Sequence, residues 1–320
     1  MRFNATMMAV AAATIAAGLS MGAPVATAPA QAATAACGHA CLEKIGDQYR
    51  AAYAARNPKL APFAAKVRFS ENNVEMAFPQ ASWNAITSEV GPALTYSDTV
   101  TGNVAIHTSI MMTNTPAHLA IRLKVINGKI TEVEHIMSTK RLISAPPTPF
   151  GDIRDIDPEM PTVLKPSERV SRAEMIRLAD GYFKTLSQND GQIFTKFNAN
   201  CHRVENGFET AKDGCDTSFK NGNFAFNERV RREWIVVDEE KGLIMGRGFI
   251  DHRGVMVNYK LTNGQDRVSP FQEPHTWSML ESFKIKNGGL GPVIATFIGA
   301  PYRVQSPYTN PAKVNGEKSR

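Results

Sequence analysis

The sequence predicts an α+β fold made of two tandem copies of one unit, and three observations predict it. Residues 119–137 read LAIRLKVINGKITEVEHIM, with Leu119, Ile121, Leu123 and Val125 alternating with Ala120, Arg122, Lys124 and Ile126. That is the period of a strand with one buried face. Asn127-Gly128 follows, the dipeptide suited to a two-residue type I′ turn because both central positions need positive φ. A weaker copy lies within residues 278–298, with Asn287-Gly288 at the matching turn. The third observation is a set of landmarks in the same order in both halves. Apolar-x-Asp-x-Tyr occurs at Ile45 to Tyr49 and at Leu178 to Tyr182, and Glu-Asn follows 22 residues after Tyr49 and 23 after Tyr182. The Asn-Gly turn comes 78 residues after Tyr49 but 105 after Tyr182, so the second copy carries insertions, assigned to residues 208–226 and 258–275.

In chain order, residues 41–56 form a helix whose stripe is Leu42, Ile45, Tyr49, Ala52 and Tyr53, ended by Asn57-Pro58. Short strands are expected within residues 67–78, then at 93–99 and 104–112, before the first hairpin. Residues 144–168 are a linker or wrapping arm, rich in proline and without periodicity. Ser171 with Glu174 three residues later is a capping-box pattern. The helix it opens buries Met175, Leu178, Ala179, Tyr182 and Leu186, and Asn189-Asp190-Gly191 ends it. The domains are therefore placed at 37–143 and 169–308, with a tail at 309–320.

The first 32 residues read as a signal peptide: Arg2, an apolar run over 7–20, and Ala30-Gln31-Ala32 as the small-x-small cleavage pattern. A periplasmic or secreted protein is expected, with no membrane span. In an oxidising compartment the four cysteines pair most simply as Cys37 with Cys41 and Cys201 with Cys215, one of three connectivities. His39, inside CGHAC, is the only hint of a metal, so no metal site is expected. Hydrophobic content of 43%, charged content of 21% and a net charge of +6 describe an ordered globular chain. Lys and Arg alternate with Asp and Glu and form no phosphate-gripping block, which argues against nucleic-acid binding.

The stretches CLEKIGDQY, CHRVENG, VVDEEKGLI, FIDH and PYRVQSPY resemble a family of secreted proteins with tandem SnoaL-like domains, related to nuclear transport factor two, over about residues 41–308. The resemblance implies two cone-shaped domains (cystatin-like, SnoaL-like), each with helices packed on a curved antiparallel sheet around an apolar pocket. It implies acid/base chemistry on hydrophobic or aromatic small molecules without a cofactor, and leaves a homodimer open as the assembly. A more distant similarity is to lyases of the same fold that deformylate lignin-derived diaryl compounds to stilbenes. Fold does not dictate function, so the site must be argued from residues.

Glu281 leads the candidates. It shares a strand face with Trp277, Met279, Phe283 and Ile285, where desolvation would raise its pKa into the range of a usable acid or base. A structural ion pair with Arg229 or Arg231 is the competing reading. Asp251 and His252 end a strand and point to opposite faces, so only one of them can line a pocket. Asp251 is taken as the candidate catalytic member. Tyr49 and Tyr53 are assigned to a pocket, whereas Tyr182 is assigned to the core. His107, with Ala105, Ser109 and Met111 on its face, could line a cavity on which Arg122 and His135 converge, although a satisfied structural histidine is the commoner outcome. Arg229, His275 and Trp277 complete the substrate-contact candidates, while His202 and Arg203 are placed beside a disulfide. Phosphate-loop, nucleophile-elbow and zinc-protease motifs are absent from the sequence. The expected function is a cofactor-independent lyase or isomerase, with a non-catalytic carrier of an apolar ligand as the alternative.

Overall fold

A computed structural model describes residues 37–140, 149–212 and 214–316. The leader assigned to residues 1–32 lies outside these, as do the start of the proline-rich segment and the last four residues. The first domain runs α1 (His39–Ala54), β1 (Phe63–Glu71), β2 (Val74–Met76), α2 (Ser82–Ala85), β3 (Ser88–Asp98), β4 (Asn103–Met112), β5 (Thr115–Ile126) and β6 (Lys129–Thr139). The second runs α3 (Arg172–Gln188), β7 (Arg203–Glu205), β8 (Phe208–Glu209), α4 (Thr217–Lys220), β9 (Arg229–Asp238), β10 (Leu243–His252), β11 (Asn258–Lys260), β12 (Asp266–Val268), β13 (His275–Lys286), β14 (Gly289–Ala300) and β15 (Asn315–Gly316). The fold is α+β: two tandem cone-shaped domains, each with a helix packed on a curved, mainly antiparallel sheet.

The two sheets repeat one topology. The first is ordered β2-β1-β6-β5-β4-β3; the second contains β8-β7-β14-β13-β10-β9, extended at one edge by β15. Both Asn-Gly turns have the positive φ pair that the type I′ geometry demands, 50° and 71° at Asn127-Gly128 and 53° and 68° at Asn287-Gly288. The Glu-Asn landmarks mark a second repeated device. Asn72 and Asn206 both have positive φ, and each clamps the returning strand with its side chain. Asn72 Oδ1 accepts from Met137 N and its Nδ2 donates to Met137 O, while Asn206 bonds Phe297 in the same two ways. The clamp sets Glu71 opposite His135 and Glu205 opposite Ala295 in parallel pairs.

Each helix fills the concave side of its sheet. In the second domain Ser171 accepts from Glu174 N, and Met175, Leu178, Tyr182 and Leu186 face a core with Phe219, Phe283 and Val293. The strands alternate, so the opposite faces also carry apolar residues. Those faces, led by Leu94, Tyr96, Ala105, Ala120 and Ile136 from the first sheet and Ile235, Val236, Leu243, Met245 and Leu280 from the second, form one cluster between the domains. The disulfides are Cys37–Cys41 and Cys201–Cys215.

The described part of the proline-rich segment is pinned down. Buried Lys284 donates to Thr162 O at 2.8 Å and Lys241 O at 2.6 Å, and Met160 is buried between the sheets. The C-terminal stretch crosses the first domain, where Tyr308 O–H donates to Val133 O and its ring lies under Arg68 and Arg122. No helix among the described residues is long and apolar enough to cross a membrane.

Candidate active site

A cavity of about 300 Å³ lies inside the second cone. Tyr182 and Leu186 of α3 line one side, and Ile250 (β10), Trp277, Met279 and Glu281 (β13), and Ala295 and Phe297 (β14) line the sheet side. Arg203 and Glu205 of β7, Phe208 and Phe224 close it. The period of two puts Trp277, Met279 and Glu281 on the concave face of β13, as the sequence indicated.

The polar groups gather at one end. Tyr182 O–H donates to Glu281 Oε1 at 3.2 Å, and Arg203 Nη1 donates to the Tyr182 oxygen at 3.2 Å. Arg203 Nη2 donates to Ser218 Oγ at 3.1 Å, and the guanidinium lies 4.9 Å from the Phe219 ring centroid. Glu281 is 2% exposed. Burial, reinforced by the negative charge of Glu205, pushes its pKa up to about 8 against the opposing pull of Arg203 and the Tyr182 hydrogen bond. Burial likewise holds Tyr182 far above its ordinary value, so it remains a neutral donor. Two buried N–H groups at this cavity, Arg203 Nε and Trp277 Nε1, have no hydrogen-bond partner. Buried donors are normally satisfied, and a ligand oxygen would satisfy these.

The structure reverses the expectation for the tyrosines. Tyr182 lines the open cavity, whereas Tyr49 and Tyr53 are packed among Phe63 and Trp83. The first domain has its own polar chain there. Tyr49 O–H and His135 Nε2 are 2.6 Å apart, His135 Nδ1 lies 3.5 Å from Glu71 Oε2, and Trp83 Nε1 donates to the Tyr49 oxygen. Although burial opposes it, Glu71 is held below the usual carboxylate range by His135 and Ser82. His135 is therefore a core partner of Tyr49.

Other candidates fall outside the cavity, each for a definable reason. His107 lines a separate, smaller cavity of about 50 Å³ with Ser109, His118 and Ile294, and its Nε2 lies 2.7 Å from Ser282 Oγ on the opposite sheet, because its strand is buried on both sides. Burial lowers its pKa to about 3, so it stays neutral. Arg122 sits in a charge cluster between the domains, where it and Arg247 both bond Glu134. Asp251 is saturated by Arg231 at 2.8 Å through both oxygens, by Thr276 and by Arg229. That arrangement also removes Arg229 and Arg231 as partners for Glu281. His252 points the other way, into an aromatic box beside the cavity, where it stacks on His275 at 4.3 Å. Of the substrate-contact candidates, Trp277 reaches the cavity.

Sequence reasoning missed Arg203 and the site role of Tyr182, and used Glu205 only as a landmark. The repeat alignment held the signal. Arg203 pairs with Val293 as Phe69 pairs with Val133, so a cation occupies a position that is apolar in the first copy. The only metal-competent group found among the described residues is His39, Glu43 and Asp238, which lies away from the lining residues.

Fold and site together define a two-domain α+β protein with a ligand-sized, acid-bearing cavity in its second cone. Residues 168–297 match a family model described as a domain of unknown function, DUF8021. Among solved structures, a candidate ketosteroid isomerase from Kribbella flavida is similar to this chain at 12% identity and a TM-score of 0.27, covering 34% of this chain and 85% of that one. No curated protein matches.

Proposed function

We propose that the second domain is a cofactor-independent acid/base enzyme that moves a proton on a hydrophobic, aromatic carbonyl compound. The observation that carries this reading is Glu281, a carboxyl with a pKa near 8 in an apolar cavity, hydrogen-bonded by Tyr182. In its ionised form Glu281 removes a proton α to the substrate carbonyl. The enolate oxygen is then stabilised by Arg203, whose Nε–H lacks a partner, and the proton is returned at a second carbon. Trp277, Phe224 and Phe297 supply flat apolar walls for a ring.

Ligand sites span roughly 300–1,000 Å³, and this cavity lies at the lower limit. Isomerisation of a one- or two-ring substrate therefore fits better than retro-aldol deformylation of a diaryl dimer. The carrier reading rests on the same apolar walls and needs no proton transfer.

The test incubates the purified protein in heavy water with phenylacetone, tetralone and indanone and follows α-proton exchange by NMR, alongside quenching of tryptophan fluorescence. The proposal expects exchange that Glu281→Gln abolishes while binding persists. Binding without exchange in the wild type would leave a carrier. Neither binding nor exchange would defeat both readings.

A further inference from the structure

We infer a binding site for a divalent transition metal of the zinc class where the two domains meet, formed by His39, Glu43 and Asp238. His39 and Glu43 are four residues apart in the first turns of α1 and so share one face. The Cys37–Cys41 disulfide brackets His39 and ties down that turn. Asp238 is the last residue of β9 in the other domain. One donor atom from each of the three lies within 4.8 Å of the others, so the donors need only draw in to the roughly 3.3–3.6 Å spacing of ligands held tetrahedrally about 2.0–2.2 Å from an ion.

A second observation points to a ligand. Asp238 is 1% exposed, and its Oδ2 accepts no hydrogen bond, although its Oδ1 accepts from Lys241 N at 2.9 Å. The bare oxygen faces His39 Nδ1 at 3.6 Å, too long for a hydrogen bond. His39 Nδ1 also lies 2.9 Å from Ser97 Oγ, a contact that a metal held at this nitrogen would displace. Lys241 Nζ already rests on Glu43 Oε1 at 2.6 Å and lies 3.5 Å from Thr95 O, so the pocket accommodates positive charge and the ammonium has a second acceptor when displaced. One imidazole and two carboxylates suit zinc, whereas calcium and magnesium take oxygen donors. Three protein ligands leave a fourth position for water. The ion would join α1 of the first domain to β9 of the second.

The alternative arrangement of the same residues is two ion pairs, His39 with Asp238 and Lys241 with Glu43, and the experiment separates them. The mature chain with intact disulfides is stripped with EDTA, dialysed against zinc chloride and assayed for bound metal and melting temperature. The proposal expects one zinc per chain and an EDTA-reversible rise in melting temperature. Asp238→Asn and the more exposed His39→Ala should each weaken zinc binding by about tenfold or more, while Lys241→Met, which removes the competing ammonium, should tighten it. Absence of zinc from the wild-type protein, or equal zinc in both ligand variants, would overturn the site in favour of the ion pairs.

Discussion

At the scale of single residues, two domains of one topology differ in what they place at matching positions. Where the first domain has Ile121 opposite His135, the second has Glu281 opposite Ala295, and where the first has Phe69 the second has Arg203. The first cone fills its interior with rings and a Tyr49–His135 contact, with Glu71 3.5 Å from the far imidazole nitrogen; the second keeps a cavity with an acid at one end. The raised pKa of Glu281 has a stability consequence with a fixed sign. Its folded value near 8 exceeds the unfolded value of about 4.3, so its favourable contribution is complete below about pH 4 and is lost as pH rises through 8. Glu281→Gln removes that loss. Its melting temperature relative to wild type should therefore increase between about pH 5 and pH 8 and level off above that. A difference that stays constant with pH would show that the carboxyl is not desolvated. The prominence of Glu281 was legible because it interrupts an apolar strand face. Arg203 was not, because a three-residue strand carries no period and its neighbour Cys201 invited a reading as disulfide surroundings.

At the scale of elements, the hairpins and helices were legible because each carries its own local chemistry. Asn-Gly needs positive φ, Ser171 needs a donor three residues on, and alternation needs a buried face. The parallel pairing of β7 with β14 has no such local signature, since it joins residues some 90 positions apart through the Asn206 side chain. That clamp also positions Arg203 and Glu205 at the cavity. Asn206→Ala should cost about 1–3 kcal/mol, the range for orphaning a buried backbone donor or acceptor, with faster amide exchange at Phe297. Unchanged exchange there would mean that the parallel pair holds without the clamp. Because β7 carries Arg203, the same variant should also weaken ligand binding in the second cone, as read by tryptophan quenching.

At the scale of the whole molecule, the two sheets pack by their outer faces, and this accounts for the placement of His107 and Arg122. His107, Arg122 and their neighbours lie on strand faces that an isolated domain would expose, so polar residues there looked functional. The second sheet covers them instead, and they became its bonding partners. Which sheet covers which depends on contacts between the halves, and no periodicity within a half encodes it. Glu134 anchors this junction, bonded by Arg122, Arg247 and Ser306, with its pKa held down to about 2 by the two guanidiniums despite burial. Glu134→Gln would remove the fully buried carboxylate that Arg122 and Arg247 share, leaving each with one flanking partner, Glu132 and Glu233. It should cost about 3 kcal/mol in urea unfolding, the lower end for breaking a buried pair. A loss below about 1 kcal/mol, typical of exposed pairs, would contradict a buried junction.

The protonatable carboxyl inside the second cone can be observed without knowing the substrate. Carbon-13 NMR of glutamate-labelled protein, with the Glu281 side-chain resonance assigned by its loss in Glu281→Gln, gives its titration midpoint directly. A buried acid at this position should show a midpoint near pH 8, well apart from the usual glutamate range. A midpoint between pH 4 and 5 would contradict it, because a carboxylate ionised at ordinary acidity would be solvated or paired rather than poised for proton transfer.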